Sequence, residues 1–210
     1  MRTLFVLSAF MCFVSVASAD FMYQVTVDTS TISGTAGSFD LQFNPGPLVS
    51  QSAFLQILSF ASDGTLAGLP QLTGDVNGAL PTTLTFDNGT GFNDYFEEFA
   101  FGSTLSLTVS LYGPALSLPD GTSTSGSVFA FSMFSDAAGT IPALTTDGTN
   151  GFALTVDLNL DATTAITNFS AQTSVVPAAA AVPEPSSFVL LGTALAGWGM
   201  RRWRQRVARY

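Results

Sequence analysis

The middle of this 210-residue chain predicts an all-β fold, an antiparallel and jelly-roll-like β-sandwich of about nine strands. Three observations carry that expectation. Apolar and polar residues alternate with period two, turn-forming pairs recur at short intervals, and no apolar stripe of helical period runs through residues 20–174.

Arg2, an apolar run from Leu4 to Val16 and the small residues Ala17-Ser18-Ala19 open the chain. A positive start, a short apolar segment and an A-x-A site are what a secretory signal presents, so residues 1–19 are expected to form a signal helix. Signal peptidase would read Ala17 and Ala19 and cut before Asp20. Cys12 lies inside the apolar run behind Phe10 and Met11, where a lipoprotein signal would need small residues. It is the only cysteine, so the processed protein has no thiol, which excludes disulfides and thiolate metal sites.

Residues 20–174 are expected to form the β-sandwich domain. Alternation is clearest at Leu105, Leu107, Val109 and Leu111 against Ser106, Thr108 and Ser110. It recurs at Leu154, Val156, Leu158 and Leu160 against Thr155, Asp157, Asn159 and Asp161. One face of each such strand is apolar and the other solvated. Weaker runs at 23–27, 39–43, 54–60, 83–86, 96–101, 128–134 and 166–169 supply the other strands. Asp63-Gly64, Asn77-Gly78, Asp87-Asn88-Gly89, Asp120-Gly121, Asp147-Gly148 and Asn150-Gly151 punctuate them, because these residues accept positive φ or cap tight turns.

Residues 175–182, with Pro177 and Ala178–Ala181, read as a Pro/Ala linker. Residues 183–210 then hold Pro183-Glu184-Pro185, an apolar run containing Phe188, Leu190, Leu191, Leu195 and Trp198, and the arginines Arg201, Arg202, Arg204, Arg206 and Arg209. From Ser186 to Met200 a helix would extend about 22 Å, marginal for a hydrocarbon core of about 30 Å. A short transmembrane helix with its arginines in the cytoplasm would leave the rest of the chain facing outward. The two prolines keep the preceding segment extended and open to a protease.

Pro-Glu-Pro, a short apolar helix and terminal arginines in that order resemble the PEP-CTERM signal of Gram-negative bacteria. The resemblance implies processing by an exosortase-type membrane protease and transient residence in the inner membrane. The stretches Tyr23–Ser30 and Phe39–Gly46, with Gly34 and Gly37 between them, are similar to the start of a group of PEP-CTERM proteins without assigned biochemistry.

Charge narrows the function further. Residues 20–182 carry fourteen acidic groups, the chain's 15 less Glu184, and no Lys, Arg or His. Such a domain has no imidazole base, Ser-His-Asp triad, phosphate clamp or Schiff-base lysine. It also has no electrostatic hold on nucleic acid, and it repels polyanions. What remains is carboxylate chemistry. Glycoside hydrolysis would need two acids across a cleft, and Glu97 and Glu98 point to opposite faces of a strand, so either would have to pair with Asp94 or another Asp. Otherwise the two glutamates read as a solvated strand edge. No cofactor is required. Calcium is the one that fits the available oxygens, with Asp157, Asn159 and Asp161, or Asp87, Asn88, Asn93 and Asp94, as candidate ligands. Tyr23, Tyr95 and Tyr112 are the candidate stacking residues for extracellular polysaccharide, and the many Phe read as core.

The expected function is thus an exported, surface-sorted and non-enzymatic protein of the cell envelope or extracellular matrix. A calcium- or glycan-binding adhesion module and a carboxylate-based glycoside hydrolase are the alternatives.

Overall fold

The structure is a computed structural model and describes residues 20–178. Thirteen strands lie in chain order: β1 Phe21–Asp28, β2 Ala36–Pro45, β3 Phe54–Ser62, β4 Thr65–Leu66, β5 Gln71–Thr73, β6 Val76–Gly78 and β7 Leu84–Asp87, then β8 Asp94–Ala100, β9 Thr104–Tyr112, β10 Ser127–Phe134, β11 Phe152–Leu158, β12 Thr164–Asn168 and β13 Thr173–Ala178. The only helical pieces among the described residues are a 3-10 turn at Ser30–Ile32 and one α-turn at Pro114–Ser117.

Every pairing between strands is antiparallel. Six strands form one sheet in the order β13-β1-β9-β3-β7-β6; seven form the other, β12-β11-β10-β2-β8-β4, with β5 also on the outer edge of β8. Period two turns Tyr23, Val25 and Val27, with Leu105, Leu107, Val109 and Leu111, to the inner face of the first sheet. Phe39, Leu41 and Phe43, Phe129 and Phe131, and Val156 and Leu158 do the same on the second, and all of them join one hydrophobic core. Phe39 stacks on Phe60 of the opposite sheet at 5.8 Å, and both rings meet the edge or face of Phe99, at 5.5 and 6.0 Å. Phe60 reaches the core because a bulge between Ile57 and Ser59 shifts the phase of β3, leaving Leu58 and Ser59 both outward and bringing Phe60 in.

All nine expected runs fall on strands to within a residue or two at their ends, and β4, β5, β6 and β13 are strands beyond the expected nine. β11 stops at Leu158, so Leu160 is half-exposed in the following turn and does not continue the apolar face. Residues 175–178, expected as linker, are the body of β13, which pairs with β1 from Val27↔Thr173 to Met22↔Ala178. Pro177 does not break it because β13 is an edge strand, where a missing N–H costs no ladder bond on the open side. Since β1 and β13 are antiparallel neighbours, the described chain begins and ends at the same end of the sheet. No helix among the described residues is long and apolar enough to cross a membrane; the expected signal helix and membrane helix both lie outside them.

Candidate functional site

The terminal signals, with Ala17 and Ala19, Pro183–Pro185, the apolar run through Phe188, Leu190, Leu191, Leu195 and Trp198, and Arg201, Arg202, Arg204, Arg206 and Arg209, lie outside the described residues.

Of the first calcium set, only Asp157 is on a strand. Asn159 and Asp161 sit in the turn to β12, and their side chains serve it. Asn159 Nδ2 donates to Thr163 Oγ1 at 3.0 Å, and Asp161 Oδ1 accepts from the Thr163 N–H and hydroxyl at 3.1 and 2.6 Å. In the second set the two amides are spent inside the fold. Asn88 Oδ1 accepts from the Ala53 N–H while its Nδ2 donates to Gln51 O and Ser127 Oγ. Asn93 Oδ1 accepts from the Asp75 N–H, and its Nδ2 donates to Phe43 O and Thr90 O. Among the described residues no three Asp, Glu, His or Cys side chains converge as ligands would.

β8 is not the solvated edge that Glu97 and Glu98 suggest, since it lies between β2 and the β4/β5 edge. Tyr95, Glu97 and Phe99 face inward and Phe96 and Glu98 outward. Glu97 is only 3% exposed and accepts a short hydrogen bond from the Tyr95 hydroxyl, which itself takes the Leu80 N–H at 3.1 Å. Burial pushes the Glu97 carboxyl up, and the bond from Tyr95 partly offsets the rise. Burial, then the bond to Glu97, raises the Tyr95 hydroxyl as well. Glu97 and Glu98 therefore share no cleft.

Tyr23 and Tyr95 are buried, so neither presents a ring to a ligand. Tyr112 does. On the outer face of the six-stranded sheet it lies opposite Phe54, which lies opposite Asp87 on the other side. The Phe54 and Tyr112 rings stack at 5.3 Å with 26° between their planes. Together with Asp75, Asn77, Thr85 and Asp87 they line an open groove of about 570 Å³. Burial, with Asp20 and Asp87 adding to it, holds the Tyr112 hydroxyl above its ordinary value, so it is a neutral hydrogen-bond donor at physiological pH. Sequence reasoning misses Phe54 because the many Phe read as core; the signal that could find it is the alternation at the start of β3, which sets Phe54 on the face opposite Leu55 and Ile57.

The fold and the site thus define an acidic all-β domain of two antiparallel sheets with an aromatic groove on one outer face. Residues 181–205 match the family model described as the PEP-CTERM protein-sorting motif, so the chain carries the sorting signal of PEP-CTERM proteins. No curated protein and no solved structure matches the chain.

Proposed function

We propose that this chain is exported, held in the inner membrane through its C-terminal segment, processed by an exosortase-type protease and delivered to the cell surface or matrix as a non-enzymatic β-domain. One observation carries the reading, the PEP-CTERM motif that begins at residue 181, directly beyond the end of β13 at Ala178. The non-enzymatic role is supported by the absence of Lys, Arg, His and Cys from residues 20–182. The path of the chain, which switches repeatedly between the two sheets, supports a jelly-roll-like sandwich for the displayed domain. Intact mass and terminal peptide mapping of protein recovered from the native envelope and medium test the sorting. Ends near Asp20 and near Pro183–Pro185 are expected; a retained tail with Arg201–Arg209 overturns it. Turnover of a glycan that is abolished by Asp94→Asn would overturn the non-enzymatic role.

The groove at Phe54 and Tyr112 favours a second reading, an adhesion module for neutral glycans. Aromatic faces next to carboxylate and amide groups suit a sugar ring, whose C–H faces stack and whose hydroxyls hydrogen-bond. The charge of the domain turns polyanions away. Calorimetric titration of the full-length chain in detergent with cellohexaose, polygalacturonate and calcium chloride separates the ligands. Heat with cellohexaose that is lost in Tyr112→Ala supports the groove; no heat with any of the three removes the adhesion reading.

A further inference from the structure

β2 and β8 place Asp40 opposite Phe96 and Gln42 opposite Asp94, which puts both aspartates on the outer face of the seven-stranded sheet as diagonal neighbours. Their carboxyl groups lie within hydrogen-bonding reach of each other. Asp40 is only 9% exposed. Its Oδ2 accepts from Gln42 Nε2 at 2.6 Å, but Asp40 Oδ1 and Asp94 Oδ1 are both shut off from solvent with no donor in the fold. Phe96 stands beside Asp40 on this face, and Gly139, at φ +69°, closes over its ring so tightly that a Cβ would come within 2.6 Å of Cε2. The same loop is pinned by Ser38 Oγ donating to Asp136 O at 2.8 Å.

Two ionised carboxylates only accept, so they cannot satisfy each other, whereas one proton between them turns two orphaned oxygens into a donor and an acceptor. We propose that Asp40 and Asp94 hold a single shared proton at neutral pH, an O–H···O bond that latches β8 to β2 and releases in alkaline solution. A divalent cation would need about six oxygen ligands. Gln42 Oε1 is already taken by Asn44 Nδ2 and Asn44 Oδ1 by the Asn93 N–H, and no third carboxylate converges on the pair among the described residues.

The surrounding charges all act in one direction. On β8, Glu98 shares this face, opposite Ser38. Asp136 of the covering loop turns its carboxylate to the N–H groups of Thr140 and Ile141. Asp157 lies on β11, with β10 between it and β2; β10 brings Ala130 and Ser132 to the face, and β5 brings Gln71 and Thr73. Residues 20–182 contain no basic residue to oppose these acids. Burial first, then the bond to Asp94 and its charge, push the Asp40 carboxyl from 3.8 up to about 9. A group raised on folding stabilises fully below its unfolded value, and that contribution is lost as pH rises toward the folded one. Between these limits the folded chain keeps a proton that the unfolded chain releases, so the folding equilibrium constant falls by up to about tenfold per pH unit.

The test is a carboxyl ¹³C titration of the full-length chain in detergent micelles, labelled only at aspartate, which leaves Glu97 silent. One aspartate is expected to remain protonated at neutral pH and to titrate far above the others. Asp40→Asn, whose amide can donate to Asp94 in place of the proton, should remove that signal and flatten the decline in melting temperature between about pH 5 and pH 8. Should Asp40→Asn not fold, Asp94→Asn makes the same comparison, and the titration of the unsubstituted chain decides without either. Aspartates that are all ionised at neutral pH, or a high-titrating signal that survives both substitutions, would overturn the shared proton.

Discussion

Asn93 tests whether the buried amides of this domain are structural or wait for an ion. Its side chain is fully buried. Nδ2 donates to Phe43 O at 2.9 Å and to Thr90 O at 3.0 Å, while Oδ1 accepts from the Asp75 N–H at 2.7 Å and from the Thr90 hydroxyl. The residue thus ties the end of β2 in one sheet to the approach to β6 in the other. Asn93→Ala deserts the Phe43 carbonyl and the Asp75 N–H; the Thr90 groups can turn to water. At about 1–3 kcal/mol for each of the two main-chain groups left unpaired, the loss comes to about 2–6 kcal/mol. For a domain of this size that is a fall of roughly 10 °C in Tm. Urea denaturation of the full-length chain in micelles with a calcium chelator present reads it, with Asn77→Ala at an exposed position as the control. A loss below about 1 kcal/mol, or one that appears only when calcium is added, would refute the structural role and return Asn93 to the candidate ligands.

Three further outcomes follow from the same interior. Phe39→Ala removes a ring packed on Phe60, Tyr95 and Phe99, and should cost about 3–5 kcal/mol by urea denaturation; a loss under about 2 kcal/mol would mean the sheets can close over the gap. Tyr95→Phe leaves the Leu80 N–H and Glu97 without their partner, and is expected to cost about 2–4 kcal/mol by the same assay, with a near-neutral result showing that water reaches the site. Asp120 is held at about 2 by the N–H groups of Ser123 and Thr122 and by the Ser123 hydroxyl, and Asp28, Asp63, Asp136, Asp147 and Asp161 are lowered too. Lowered groups give stability that is present above the ordinary aspartate range and lost as pH falls through their folded values. Melting temperature should therefore drop below about pH 4, and Asp120→Asn should make that acid limb shallower; an unchanged limb would discount the Asp120 turn.

Much of this fold is legible because its main strands are long enough to show alternation. The run Leu105–Leu111 is buried at every second residue, as β9 requires. β4, β5 and β6 have two or three residues each, too few for any period to register, and they exist only because the edges of β8 and β7 offer unpaired main chain. β13 was hidden by its composition. Pro177 and the alanines resemble a linker, while main-chain pairing with β1 and the packing of Val175 against the core make it a strand. The phase of β8 turns on a single comparison. Either face carries one glutamate, but facing Tyr95 and Phe99 inward buries two aromatic side chains where the other phase buries Phe96 alone, so Glu97 goes inside with them. The burial of Asp40 could not be read from β2. Its alternation marks Asp40, Gln42 and Asn44 as a solvated face, yet a loop nearly a hundred residues further on is bonded to that face at Ser38 and closes over Phe96, the residue opposite Asp40.

That hidden cover bears on how an acidic domain without cations can exist at all. A buried carboxylate ordinarily finds Arg or Lys, and residues 20–182 have neither. Two remedies are visible. Exposed aspartates such as Asp120, Asp147 and Asp161 turn back onto main-chain N–H groups and tighten the loops they sit in. The interior acids rely on neutral partners: the Tyr95 hydroxyl for Glu97, and a second carboxyl for Asp40. The remedy at Asp40 works only while its proton is present, whereas the bond from Tyr95 favours the ionised Glu97 carboxylate and offsets part of the cost of burying it. The surface remedies act in the opposite sense to that at Asp40, weakening only when the aspartates are protonated. Stability should accordingly peak in mildly acidic solution, between the acid limb set by the turns and the alkaline limb set by β2 and β8. Added salt should raise it across the whole range by screening a surface of one sign.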